Sequence, residues 1–209
     1  MRIYDVIQGS EQWESLRARP TASQFGRIVT PARGQVSTQI GKYACEIVAK
    51  RLGVYVEPPP TFWMDWGIEH EPCAVDDYEK QTGLKTRTVG FVVPDWTDEY
   101  GGSPDRLVDP DGLLETKCPA PETLISYHAG GELPSDYIPQ VQGLLFITGR
   151  AWCDFYAWHP QLTPFLIRVE PDPEYHEKLK VGLAACLLEV DRIASLVQSH
   201  PEVMETWNE

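Results

Sequence analysis

The segment Gly101-Gly102-Ser103-Pro104-Asp105-Arg106-Leu107-Val108-Asp109-Pro110-Asp111-Gly112-Leu113-Leu114-Glu115-Thr116-Lys117-Cys118-Pro119 carries the residue types that metal-assisted hydrolysis needs. Glu115 and Lys117 stand two apart, so in a strand both side chains leave the same face. Two apolar runs flank Asp-Pro-Asp-Gly, a turn sequence suited to a hairpin. Asp105 stands opposite Glu115 if the loop is odd, either three residues (109–111) or five (108–112). A four-residue loop would turn Asp105 to the other face. Cross-strand neighbours lie roughly 5 Å apart, close enough to share a metal. Two carboxylates beside a lysine suit a hard cation such as Mg²⁺, or Mn²⁺ in its place. Such an ion polarises a phosphodiester and lowers the pKa of a bound water. The lysine orients that water or stabilises developing negative charge. The plainer alternative is an exposed hairpin with a cross-strand ion pair worth under about 1 kcal/mol.

Other residues point to the same chemistry. In a helix over 67–82, Ile68, Glu71, Val75 and Tyr78 follow at spacings of 3, 4 and 3 and share a stripe. Glu71 is therefore expected on the inward face, where a carboxylate needs a partner: a salt bridge, a proton or the metal. Trp13, Arg17, Thr21-Ala22-Ser23 and Ser103 suit an anion pocket, with hydroxyls, a helix N-terminus and a planar guanidinium. Ser23 serves equally as a helix cap. Gln140 and Gln142 interrupt the apolar run Val141, Leu144, Leu145, Phe146. Gln140 suits a bond to the attacking water, a phosphate or a metal-bound water, whereas Gln142 reads as a satisfied core amide or a surface residue.

The elements that must position these groups follow from periodicity. Residues 10–18 and 22–29 read as short helices, and Ser37 caps a longer one over about 38–52. Glu57-Pro58-Pro59-Pro60 is a stiff extended connection. Gly83 closes the helix at 67–82. Strands follow at about 86–93, 102–108 and 112–117, then helices at 121–130 and 136–148, with Pro139 in a first turn. Strands at about 151–158 and 164–169 precede an amphipathic helix over 172–199, striped by Leu179, Leu183, Cys186, Leu187, Val190, Ile193, Ala194 and Val197. The order predicts a mixed α/β (α+β) fold in a single domain, 1–209.

Composition bounds the rest. The chain has 209 residues and a formal net charge of −13. Residues 1–60 hold 8 Lys and Arg against 5 Asp and Glu, and the remainder 10 against 26. Bulk charge alone argues against a nucleic-acid binder, although the basic front end is compatible with a local anion site. The 5 cysteines form no Cys-x-x-Cys pair, which argues against structural zinc and iron–sulfur clusters. Free thiols, a start without a signal-peptide pattern and the lack of a long apolar run predict a cytoplasmic protein with no membrane partner.

Five motifs in order give a resemblance: Trp13-x-x-x-Arg17 with Thr-Ala-Ser at 21–23, Trp66-Gly67-x-x-x-Glu71, Ser103-Pro104-Asp105, Glu115-x-Lys117-Cys118-Pro119, and Gln140-Val141-Gln142. The stretch from about Trp13 to Phe155 resembles the phage lambda exonuclease family of viral recombination nucleases, within the PD-(D/E)xK nuclease superfamily. The resemblance implies a three-layer restriction-endonuclease-like fold. It implies Mg²⁺-dependent 5′→3′ digestion of one strand of duplex DNA to mononucleotides by a ring-shaped trimer. By position it makes Asp105 and Glu115 metal ligands, the Thr116 carbonyl a third, and Glu71 a member of a second metal site or its water shell. Lys117 would assist the nucleophilic water, with Gln140 as an active-site helper. Arg17, favoured over Arg19 by its spacing from Trp13, would hold the 5′-phosphate of the end with Ser23 and Ser103. Met64 matches an apolar wedge, and Arg33 substitutes for the basic residue that Phe62 replaces. The helical N-terminal region, residues 1–60, would contribute to DNA-end binding. A bacterial host cytoplasm and a single-strand annealing partner complete the expectation. The alternatives are a structure-specific or restriction-type endonuclease and a catalytically silent DNA-end-binding scaffold.

Overall fold

A computed structural model describes residues 1–31 and 33–198. In chain order the elements are β1 (Arg2–Tyr4), α1 (Glu11–Leu16), a 3-10 helix (Ala22–Arg27), α2 (Ile40–Arg51), α3 (Phe62–Thr82), β2 (Thr86–Arg87), β3 (Phe91–Val93), β4 (Arg106–Val108), β5 (Gly112–Lys117), α4 (Pro121–Gly130), a second 3-10 turn (Ser135–Tyr137), α5 (Ile138–Thr148), β6 (Trp152–His159), β7 (Leu162–Val169) and α6 (Pro173–Gln198). Five strands form one mixed sheet in the order β2-β4-β5-β6-β7, and β1 pairs with β3 separately. Within the five-stranded sheet, β5 and β6 run parallel. That pair needs a long crossover, which α4 and α5 supply.

Helices cover both faces of the sheet. On one face Ala74, Val75 and Tyr78 of α3 pack on Val108, Leu114 and Tyr156. On the other, Leu107, Leu113 and Phe155 meet Val141 and Leu144 of α5, and that core continues to Ile47 of α2 and Leu179, Leu183, Cys186 and Val190 of α6. Each fully buried Leu or Val contributes roughly 1.5–3 kcal/mol. The predicted stripe of α6 is thus buried at Leu179, Leu183, Cys186 and Val190, half-buried at Leu187, Ile193 and Ala194, and exposed at Val197. Position 199, placed in that helix by its periodicity, lies outside the described residues.

Local structure differs from expectation where tertiary contacts outweigh pattern. The 22–29 helix is a 3-10 helix, tied through the Ala22 amide to the Gly101 carbonyl at 2.9 Å. Helix α2 starts at Ile40, and Ser37 Oγ accepts the Gln39 N–H at 3.2 Å just ahead of it. Helix α3 starts five residues before the expected 67, because Thr61 caps it, accepting the Met64 N–H at 3.3 Å. Gly83 ends it with φ 72°, the left-handed region. The expected 86–93 strand is split. Residues 86–87 pair with β4, and Gly90, too close to the Tyr4 and Val6 backbone for a Cβ, sends 91–93 to β1. The expected 102–108 strand shrinks to Arg106–Val108, since Gly102 bridges Val92 instead. Of the free cysteines, Cys118, Cys153 and Cys186 are buried, whereas Cys45 and Cys73 are exposed. No described helix is long and apolar enough to cross a membrane.

Candidate active site

The β4–β5 hairpin sets the centre. Val108 pairs with Gly112 and Arg106 with Leu114, so the loop is 109–111, the shorter odd option. The same register carries Asp105 and Glu115 to one face, with Lys117 two residues on. Glu115 is 1% exposed. Its Oε1 accepts hydrogen bonds from Lys117 Nζ at 2.5 Å and Gln140 Nε2 at 2.5 Å. Asp105 Oδ2 accepts from the Thr116 amide and hydroxyl, each at 2.7 Å. Thr116, expected through its carbonyl, is thus seen holding Asp105 with its two donors.

These contacts set the charge states. Burial, and next the Asp105 charge, push the Glu115 carboxyl up to about 7, against the pull of Lys117. Burial works against the Lys117 ammonium, but Glu115 and Asp105 outweigh it and raise its pKa. The two carboxylates thus favour the ammonium form of Lys117.

The charge of Glu71 reaches Glu115, and Glu71 itself, projecting from α3, lines a cleft with Asp105, Thr116 and Lys117. Its Oε1 accepts from Arg106 Nη1 at 2.8 Å, an ion pair across 35 residues. Burial and then Asp105 raise its pKa, against the pull of Arg106. The stripe that predicted it holds for Val75 and Tyr78, which are buried, but Ile68 is 73% exposed. Among the described residues no group of three or more His, Cys, Asp or Glu is gathered to hold a metal ion. The donors nevertheless fit a hard divalent cation. Glu115 Oε2 is buried with no hydrogen-bond partner, and both Thr116 bonds fall on Oδ2 of Asp105, leaving Oδ1 for another ligand. A buried carboxylate oxygen without a donor is costly, and a cation is the partner it lacks.

The expected anion pocket lies against this centre. Arg17, Ser23 and Ser103 line a cleft of about 240 Å³ together with Asp105, Glu115, Lys117 and Gln140. Trp13 Nε1 donates to Ser103 Oγ at 2.8 Å, and the Arg17 guanidinium lies 4.4 Å from the Trp13 ring centre. Arg17 also pairs with Glu14 at 3.0 Å. Arg19 turns away to the Asp98 carbonyl and the Phe91 ring. Met64, 57% exposed, lines a second cleft of about 730 Å³ with Trp63, Glu71, Asp105 and Lys117. Arg33 lines neither cleft. It is exposed, on a turn closed by the Thr30 amide on the Gln35 carbonyl, and the turn's Gly34 packs against Lys178 of α6. Gln142 is buried, donating to the Glu170 carbonyl and accepting the Asp172 amide, each at 2.9 Å.

Two residues at the site escaped sequence reasoning. Tyr137 lies with its ring centre 5.3 Å from Lys117 Nζ. Arg106 is the partner of Glu71, and its signal was a charge opening the short apolar strand after Asp105.

Comparison with known proteins identifies the family and the fold. The sequence profile of the YqaJ-like viral recombinase domain matches residues 12–151. An alkaline exonuclease, LHK-Exo, from Laribacter hongkongensis superposes with a TM-score of 0.83 at 29% identity, covering 93% of this chain and 100% of its own. The structure of LHK-Exo in complex with dAMP gives the same TM-score, 0.83, at 28% identity and the same coverage. A phage related exonuclease from Haemophilus somnus 129PT shares the fold, with a TM-score of 0.65 at 16% identity over 86% of this chain and 96% of that one. No curated protein sequence matches the chain.

Proposed function

The chain belongs to the YqaJ-like viral recombinase domain family, and from that premise we propose that it is a Mg²⁺-dependent 5′→3′ exonuclease. It acts on double-stranded DNA ends, releases 5′-mononucleotides and leaves a 3′ strand for recombination by annealing. The observation that carries this reading is the cleft in which Arg17, Ser23 and Ser103 meet Asp105, Glu115, Lys117 and Gln140.

Each residue has a task in that scheme. Asp105 and Glu115 hold the cation, which supplies Lewis acidity toward the phosphodiester and a water. Thr116 fixes Asp105 through two bonds, and Gln140 fixes Glu115 through one. Lys117 donates to charge developing on the phosphoryl oxygens. Arg17, Ser23 and Ser103 bind the 5′-phosphate, and Met64 separates the terminal base pair. The helical N-terminal region, residues 1–60 of a domain spanning 1–209, contributes Arg17 and Ser23 to end binding. A ring-shaped trimer, a single-strand annealing partner and the cytoplasm of a bacterial host complete the proposal.

The test is nucleotide release from linear duplex with phosphorylated and unphosphorylated 5′ ends in Mg²⁺. Phosphorylated ends should be degraded faster, and Lys117→Ala should cut release by about 10²–10³-fold. Nicking of closed circles would point to an endonuclease. No Mg²⁺-dependent release, or full activity in the variant, would overturn the assignment.

A further inference from the structure

Glu71 stands where the resemblance calls for a second metal site, yet its carboxylate is engaged. Arg106 Nη1 donates to Glu71 Oε1 at 2.8 Å and to the Asp105 carbonyl at 2.6 Å. One guanidinium thus ties the helix carboxylate to the backbone of the metal-binding residue. The Arg106 side chain is 18% exposed and that of Glu71 is 35% exposed, so the pair is partly shielded from water. Arg106 comes from β4 and Glu71 from α3, and Glu71 lines one cleft with Asp105, Thr116 and Lys117. A guanidinium cannot lose its proton in a protein. A divalent ion seated on Glu71 would lie within a few bonds of that fixed charge, where repulsion is strong.

We propose that Arg106 fills the second cation seat of this centre, so that the chain holds one divalent ion, on Asp105 and Glu115. This rests on the nuclease reading above. Arg106 is a positioning residue. It ties Glu71 to the backbone of Asp105, and supplies fixed positive charge where a second metal would otherwise stabilise oxygens of the phosphodiester.

Mn²⁺ binding to the full-length protein, counted by calorimetry and by its paramagnetic resonance signal, tests the assignment without reference to activity. Wild type should take up one Mn²⁺ per chain. Arg106→Ala frees Glu71 and should take up two, the double variant Arg106→Ala/Glu71→Gln should return to one, and Arg106→Lys, which keeps the charge, should stay at one. Circular dichroism establishes that each variant is folded. A poorly folded Arg106→Ala is replaced by Arg106→Gln, which keeps the stem and is held to the same counts. Two ions in wild type, or one in both neutral variants, would overturn the inference and leave the nuclease reading standing. No uptake by wild type would remove the nuclease reading itself.

Discussion

Glu115→Gln isolates the electrostatic cost of burying the Glu115 carboxyl. The wild-type carboxyl is buried, accepts Lys117 and Gln140 on one oxygen and leaves the other without a partner. Its pKa stands at about 7 in the folded protein, raised by burial and by Asp105. The folded state therefore holds a proton that the unfolded chain has already released, and stability contributed by this group falls as pH rises from the unfolded pKa, near 4.5, through about 7. Over that window the loss is roughly 3 kcal/mol. For a chain of this length that corresponds to about 6–12 °C in melting temperature. Lys117 stays cationic throughout and adds no slope there. Glu71, also raised, adds to the slope of both proteins. The amide in Glu115→Gln still accepts from Lys117 and Gln140 but has no proton to lose. In EDTA, scanning calorimetry at pH 5 and pH 8 should show wild type losing more stability than the variant, by that margin. Mg²⁺ at pH 8 should raise the wild-type melting temperature and leave the variant unmoved. Equal losses in the two proteins, or a Mg²⁺ shift of the same size in both, would refute the argument.

Trp13→Phe removes the donor to Ser103 and some of the ring area beneath Arg17. The preference for phosphorylated over unphosphorylated ends should shrink by up to about 5-fold, for about 1 kcal/mol lost; an unchanged ratio would detach Trp13 from the phosphate site. Tyr78→Phe removes the 2.7 Å bond to the buried carboxylate of Asp154, which keeps two bonds from Arg168. Stability should fall by about 1–2 kcal/mol in urea unfolding while Mn²⁺ uptake stays the same; altered uptake would show that the two faces of the sheet are coupled.

The features of this site legible in the sequence are those fixed by short-range geometry. The two-residue spacing of Glu115 and Lys117 and the odd loop 109–111 decide which side chains share a face, whatever packs around them. Helical spacing likewise placed Glu71 in line with Val75 and Tyr78. It could not place Arg106, because the Glu71 partner depends on how α3 lies across β4, a contact between residues 35 apart. The same limit explains the split of 86–93. Its residues favour one continuous strand, but Gly90 meets the backbone of Tyr4 and Val6, segments far away in sequence. The start of α3 was missed for a local reason. Pro58-Pro59-Pro60 masked the Thr61 cap directly after it.

A net charge of −13 is the strongest sequence argument against a DNA enzyme, and the structure locates the charge in a way that weakens it. Arg17, Arg27, Lys42 and Lys50, from the basic front end, line a cavity of about 510 Å³ that adjoins the catalytic cleft through Arg17 and Thr21. Their charge is moderated, since Arg27 pairs with Glu46 and Lys50 with Glu57. Arg33, expected as a basic DNA contact, is exposed and lies outside these clefts. On α6 and just ahead of it, Asp172, Glu174, Glu177 and Asp191 are exposed. On the proposed reading, repulsion from that surface would disfavour lateral binding along a duplex, and attraction would be confined to the cleft that a strand end can enter. Glu115 and Asp105 are two of the acids counted in that charge, and the divalent ion proposed for them would reverse their effect on a phosphate. The bulk charge then reports where DNA is kept from binding. Its affinity should depend on free ends more steeply than on duplex length.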